Sequence, residues 1–386
     1  MNHYNSHTPS KRNVIFFWVS AGILLIALAI FLYWLTVLRF EEYTDDAYVH
    51  GNLIEITPQV PGIVMSINVD DTDYVQEGQV LIELDKTDYQ IAFEKSQNAL
   101  GDTVRSVIQM YLKVDELEAE LVQRDAALFK AEKDYQNRVN LVGIGGVSRE
   151  EFEHVEANLV SAKAARQATD FMLQAAIAEV QNTTLRTHPL VLKAADQVKD
   201  AFVSLQRCSI LAPSDGYVAM RTAQLGEYVE VSQPLLAVVP LNELWVNANY
   251  KEVQLSKVRI GQSVHLTSDL YGGGVVFHGK IVGINPGTGN TFSILPPQNA
   301  TGNWIKIVQR VPVRVSLDPQ QLKKYPLWLG LSMNATVDIH DAKGEMLPEA
   351  PRLIPIYHTQ IYGKQEEGAL KIIEAIIQQN AGAYAR

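Results

Sequence analysis

The sequence predicts an elongated, multidomain α+β architecture. Its parts are an N-terminal transmembrane helix, a β unit split between two distant segments, a long antiparallel helical hairpin inserted into that unit, and a β-barrel. Three observations predict it. An uncharged apolar run near the N-terminus is long enough to cross a bilayer. Two β-patterned segments repeat at a fixed offset. Between them, apolar residues recur every seven positions.

The apolar run is "VIFFWVSAGILLIALAIFLYWLTVL", residues 14–38, which at about 1.5 Å per residue spans the hydrocarbon core. Trp18, Tyr33 and Trp34 lie toward its ends, where aromatic rings favour the membrane–water interface. A signal peptide would have a shorter run and small residues at a cleavage site; here "RFEEYTDD" follows, so the helix is expected to stay as an anchor. Lys11 and Arg12 precede it, and Arg39 after it is outnumbered by Glu41, Glu42, Asp45 and Asp46. That bias places residues 1–13 in the cytoplasm and the main body across the membrane. The 386-residue chain is 47% hydrophobic and 20% charged, a globular composition. Its net charge of −10 argues against nucleic acid and against broad adhesion to anionic lipid. Cys208 is the one cysteine, which excludes an internal disulfide framework.

The repeat lies in "PGIVMSINVDDTDYVQEGQVLIEL" and "SDGYVAMRTAQLGEYVEVSQPLLAVV". Adding 154 to a residue number maps Gly62 to Gly216, Val64 to Val218, Tyr74 to Tyr228, Val75 to Val229, Gln79 to Gln233 and Leu81 to Leu235. An ungapped offset marks a duplicated unit, and each copy alternates apolar and polar residues between turn signals. One copy alone is a marginal hairpin; residues 58–86 and 209–240 together close a small flattened barrel.

Residues 87–208 carry the other periodicity. Phe93, Leu100, Val107, Val114, Leu121, Leu128, Tyr135 and Val142 form a coiled-coil seam. A weaker ladder returns through Phe152, Val155, Leu159, Ala162, Thr169, Leu173, Ala176 and Val180. The glycines of "LVGIGGVSREEF" break the first helix, and Ser148 with Glu151 form a capping box that starts the second. The helices must be antiparallel, because the split unit is rejoined at its base. The first reaches roughly 80 Å. Near "NTTLRTHPLVL" the return helix is interrupted, with Pro189 at the first turn of a restarted piece. Val142, Ile144 and Val147, apolar and remote from any core, favour a partner at the tip.

The first β segment ends in "GQVLIELDKTDYQ", residues 78–90. Its Glu-Leu-Asp-Lys run resembles the turn on which lipoyl and biotinyl carrier domains present a modified lysine. A carrier lysine needs a tight turn with the next strand following at once. Here a helical rod replaces that turn, so Lys86 is read as a solvated lysine where strand becomes helix.

With anchor, split lipoyl-like unit and hairpin in this order, residues 10–340 resemble the HlyD family of membrane fusion proteins, the periplasmic adaptors. Within it they are most similar to the EmrA-type multidrug-efflux subunits. "TDDAYVHGNLIEITPQVPGIV", "LWVNANYKEVQL", "RIGQSV" and above all "GTGNTFSILPPQNATGNWIKIVQRVPVRV" carry that likeness. The resemblance implies a non-enzymatic adaptor without a cofactor, anchored once in the bacterial inner membrane with a periplasmic body. It also implies four kinds of partner: a major-facilitator drug/proton antiporter, a TolC-like outer-membrane channel, further copies of the chain as a dimer, trimer or hexamer, and the exported drugs. In many members an Arg, a Leu and a Ser or Thr near the hairpin turn contact the channel. Leu141 and Ser148 stand at matching positions; Asn137 occupies the family's arginine position, and Arg138 follows it. Ser148 serves equally as a helix cap. A type I secretion adaptor, paired with an ABC exporter, is the alternative within this architecture. A carrier subunit using Lys86 is the alternative from another class.

In residues 241–340, "LWVNANY", "SVHLTSDL", "VVFHGKIVGI", "WIKIVQRVPVRVSL" and "MNATVDI" predict a small β-barrel. Residues 39–57 are expected to add a strand as the chain leaves the anchor. A long Gly/Pro/Asn/Thr-rich stretch separates Ile284 from Trp304. In it Phe292, Ile294, Leu295 and Trp304 are candidate contacts for the transporter or a drug route; a loop folded back on its own barrel accounts for them equally. Residues 341–386 form a tail whose "GALKIIEAIIQQNAG" predicts an amphipathic helix without an assigned role. No residue is assigned to catalysis, cofactor or metal: "GTGNTF" lacks the P-loop lysine, no H-E-x-x-H pair occurs, and "DDTD" lacks an EF-hand's glycine and terminal Glu.

Overall fold

The computed structural model describes residues 11–36, 38–289, 291 and 308–382. Helix α1 (Lys11–Thr36) is apolar and long enough, from Ile15 to Thr36, to cross a membrane, and none of that stretch is buried against the rest of the protein. Strand β1 (Glu41–His50) follows almost at once, and β2 (Ile54–Ile56), β3 (Gly62–Ile67), β4 (Tyr74–Val75) and β5 (Val80–Leu84) complete the first β segment. Helices α2 (Thr87–Val142), α3 (Arg149–Val180) and α4 (Pro189–Gln206) interrupt it. The second segment holds β6 (Ser209–Leu211), β7 (Gly216–Ala219), β8 (Tyr228–Val229) and β9 (Leu236–Val239). Beyond it come β10 (Trp245–Lys251), β11 (Ser263–Ser268), β12 (Val276–Ile284), β13 (Arg310–Leu317), α5 (Pro319–Lys324), β14 (Ser332–Asp338) and α6 (Glu367–Ala381).

The fold carries the 154-residue offset into its strand pairing. β3 meets β8 through Gly62↔Val229 and Ile63↔Tyr228; β4 meets β7 through Val75↔Gly216 and Tyr74↔Tyr217. Each register is the other with the copies exchanged. Val64↔Leu84 in one copy likewise matches Val218↔Val238 in the other. Even a turn is shared: Thr72 and Gly226 are equivalent and have φ of 78° and 80°. The result is two four-stranded sheets, β2-β9-β7-β4 and β6-β5-β3-β8. They enclose Val64, Val75, Leu81, Leu84, Val218, Val229, Leu235 and Val238. The apolar faces of the two copies share this one core, which is why two hairpins too small to fold alone make one body. Asp70 of the first copy accepts from Arg221 Nε of the second at 2.7 Å, and that guanidinium holds the carboxyl below the usual carboxylate range.

The copies differ at one close approach. A Cβ at Gly216 would sit 2.7 Å from Val238 Cγ1 and 2.8 Å from the Val239 carbonyl oxygen, whereas at Gly62 the nearest atom, Leu84 Cβ, is 3.4 Å away. Gly216→Ala is therefore expected to cost about 1–3 kcal/mol by overpacking, with Gly62→Ala close to neutral. Paired thermal-melting curves check this; equal losses at both positions would contradict it.

The barrel closes in the order β1-β10-β13-β12-β11-β14, each neighbour antiparallel. Alternation, interrupted by bulges in β1 and β12, fills it with Val49, Val246, Tyr250, Leu266, Phe277, Ile281, Val315, Met333 and Val337. β1 is the strand expected from the segment after the anchor, and it closes the barrel between β10 and β14. The "TDDA" of that strand carries a bulge between Thr44 and Ala47. Its Asp46 is held by Asn249 Nδ2 at 3.0 Å and by Arg310 Nη1 at 3.2 Å, which ties β1 to β10 and β13.

The hairpin behaves as its periodicity predicts. α2 has 56 residues, about 84 Å at 1.5 Å per residue. α3 returns beside it, with Arg166 Nε 2.9 Å from Asp125 and the Tyr135 and Phe152 rings 5.4 Å apart. Every seam residue from Phe93 to Val142 is buried or half-buried. α4 starts at Pro189, as expected, and is capped by the buried His188, whose Nδ1 accepts from the Leu190 N–H at 3.3 Å.

α6 is the part whose position the sequence does not predict. It lies against α2 and α4 at the hairpin base, where Ile373, Ile377 and Ala381 share a core with Phe93, Leu100, Val104, Val107, Val191, Ala194 and Val198. Arg186–Glu374 at 2.5 Å and Lys199–Glu366 at 2.6 Å flank that contact. To reach it the chain leaves the barrel at Ile339 and passes the β unit. On the way Glu345 accepts from Ile260 N–H at 3.0 Å, and Thr359 Oγ1 donates to Glu77 at 3.1 Å.

Candidate functional site

The far end of the hairpin is built by helix termination. After Val142 the chain makes a tight turn in which Gly146 N–H donates to Leu141 O at 2.9 Å and Gly145 takes φ 74°. That left-handed conformation suits glycine. Ser148 Oγ then accepts from Glu151 N–H at 3.2 Å and starts α3. The turn leaves Ile144 78% and Leu141 39% exposed, with Val142 and Val147 half-buried beneath them. An exposed apolar knob at the end of a long rod has no core to join, and burial against a partner is what would stabilise it.

The three tip residues singled out from the sequence are placed differently. Leu141 is on the exposed knob. Ser148 is exposed and also caps α3. Arg138 is turned inward to the hairpin: Nη1 donates to Asp134 O, and the guanidinium lies 3.4 Å from Asp134 and 3.6 Å from Glu151 across the turn. It clamps the two helices just below the tip.

The second candidate region, with Phe292, Ile294, Leu295 and Trp304, lies outside the described residues. Its flanks are placed: Ile284 pairs with Val313, and Arg310 with Lys251. The ladders put both flanks at the end of the barrel where Glu41 follows the anchor.

Lys86 sits at the N-terminus of α2 with its Nζ 2.9 Å from Glu83 Oε1, and the ammonium lowers that carboxyl's pKa. Its neighbours are a helix and an ion pair, not the free turn of a swinging arm. Lys86→Gln is expected to leave function unchanged, and intact-mass measurement to show the unmodified chain; an added lipoyl or biotinyl mass would contradict this. Burial pushes the Cys208 thiol up to about 11, which makes it a poor nucleophile. Among the described residues no group of three or more His, Cys, Asp or Glu side chains is arranged to hold a metal ion.

Comparison with known proteins finds a matching family, described as the EmrA α-helical hairpin domain, over residues 87–208. The chain is 47% identical over 354 residues to the probable multidrug resistance protein EmrK of Escherichia coli K12, covering 92% of this chain and 91% of that one. It is 43% identical over 356 residues to the multidrug export protein EmrA of the same organism, covering 92% and 91%. Among solved structures, the periplasmic adaptor protein EmrA aligns over 78% of this chain and 99% of its own, with 21% identity and a TM-score of 0.37.

Proposed function

Because this chain belongs to the EmrA-type membrane fusion proteins, we propose that it joins a major-facilitator drug/proton antiporter of the inner membrane to a TolC-like outer-membrane channel. It is an adaptor of multidrug efflux, with a single-pass inner-membrane anchor and a periplasmic body. In our reading the N-terminus is cytoplasmic, and several copies, as a dimer, trimer or hexamer, surround the path of the exported compound. The transporter does the work; the adaptor supplies reach and a seal.

One observation carries the reading. A membrane-length apolar helix runs directly into the barrel, and an exposed apolar tip ends a hairpin of about 84 Å that leaves the two-copy β unit. Such a molecule is shaped to touch two membranes' machinery at once. At the anchor end the polar barrel rim and the stretch around Phe292, Ile294, Leu295 and Trp304 are proposed to meet the transporter. At the other end Leu141 and Ile144 are proposed to pack on the channel, with Arg138 holding the knob in shape and Ser148 supplying the cap. Purifying the protein in mild detergent tests the inner-membrane half. A major-facilitator transporter is expected to accompany it; an ABC exporter in its place would move the chain to type I secretion.

A further inference from the structure

The outer wall of the barrel carries a side-chain pair that efflux does not explain. Alternation in "SVHLTS" and "VFHGKI" buries Val264, Leu266 and Phe277, and turns His265 and His278 outward. The β11–β12 ladder sets the two histidines directly opposite each other. The His278 backbone N–H points away from β11 and donates to Gln321 Oε1 at 2.8 Å. The pair is therefore of the non-hydrogen-bonded kind, in which side chains stand closest. The rings meet edge to face with centroids 5.2 Å apart, and their Nδ1 atoms are 3.2 Å apart.

We propose that His265 and His278 form a two-ligand site for a divalent transition-metal ion of the Zn2+, Ni2+ or Cu2+ class. With metal–imidazole bonds of about 2.0–2.1 Å, nitrogens at this separation enclose an angle of about 100° at the ion. That lies between octahedral and tetrahedral coordination. Without metal, the same separation suits a hydrogen bond in which one ring donates and the other accepts; an ion takes the place of the shared proton. Imidazole selects this class of metal over Mg2+ and Ca2+, which prefer oxygen. On β14, Thr336 lies opposite His265, and Asp338, two residues on, is exposed on the same face with its carboxylate accepting from the His340 N–H at 3.0 Å, so a carboxylate near the site helps to offset the ion's charge. Lys280, two residues along β12, opposes it. The rest of the coordination shell faces solvent and is filled by water, so the ion exchanges instead of holding the fold together.

Calorimetric titration of the detergent-solubilised full chain with Zn2+ and with Ni2+ tests the site. We expect binding whose affinity falls by about tenfold or more in His265→Gln and in His278→Gln, since even loss of an outer-shell partner costs that much. His154→Gln, at an exposed position on α3 of the hairpin, should bind as the wild type does. Paramagnetic resonance with Cu2+ should show two imidazole nitrogens on the ion in the wild type and one in each single variant. Both side chains are exposed, so melting temperatures should confirm that the variants are folded. Equal affinity in the wild type and in the His265→Gln/His278→Gln double variant would place any bound ion elsewhere and overturn the proposal.

Discussion

A chain carrying Leu141→Asp and Ile144→Asp is expected to fold, to insert in the membrane and to confer no more drug resistance than its absence does. The expectation follows from where the two side chains stand. Both are exposed, neither contributes to any of the three buried cores, and the turn's hydrogen bonds are made by backbone groups. Two carboxylates at these positions cost the isolated protein little. In an apolar contact each would have to shed its hydration without a partner, which costs several kcal/mol per charge. One such charge is enough to weaken a contact by more than a hundredfold. Deleting residues 138–148 should have the same effect but also removes the Arg138 clamp, so the point variants are the cleaner test. Minimal inhibitory concentrations, read beside membrane-fraction protein level, measure it. Unchanged resistance at normal protein level would remove the tip from the mechanism.

The second large effect is expected at the other end of the rod. Ile373→Ala and Ile377→Ala should each destabilise the hairpin base by about 2–4 kcal/mol, the usual cost of emptying a buried branched side chain. Ending the chain before α6 should expose Val104, Val107, Val191 and Val198 together. Hydrogen exchange in Leu100–Val107 and Val191–Val198 should accelerate by orders of magnitude. The barrel amides, in a separate core, should keep their protection. Resistance should fall too, because a rod with a loose base cannot hold its tip in register. Unaltered exchange at the base would mean that α6 merely rests on the surface.

Features with a local period or an internal copy could be read from the residues. The seven-residue spacing from Phe93 to Val142 describes one face of one helix, so the seam needs no knowledge of the fold. The 154-residue offset is an identity between two strings, and strand pairing converts it into symmetry. Pro189 marks the restart of α4 because its backbone chemistry is local. The seat of α6 has no such signature: an amphipathic helix states that it will bury a face, not against what. A signal was nonetheless present. Val104 and Ile108 widen the apolar stripe at the base of α2 beyond the seven-residue seam, in the core that α2 shares with α4 and α6. Arg138 shows the opposite limit of local reading. Spacing puts it near the tip, but its link to Glu151 depends on how the chain folds back through the turn. The paired histidines were invisible for the same reason, since their register is set by the β11–β12 connection.

Photo-cross-linking in living cells from an unnatural amino acid at position 144 tests the bridging role most directly. A covalent adduct between the protein and a TolC-like outer-membrane channel, lost when Leu141 is changed to Asp, is the result expected. Adducts confined to inner-membrane proteins, with resistance intact, would contradict it.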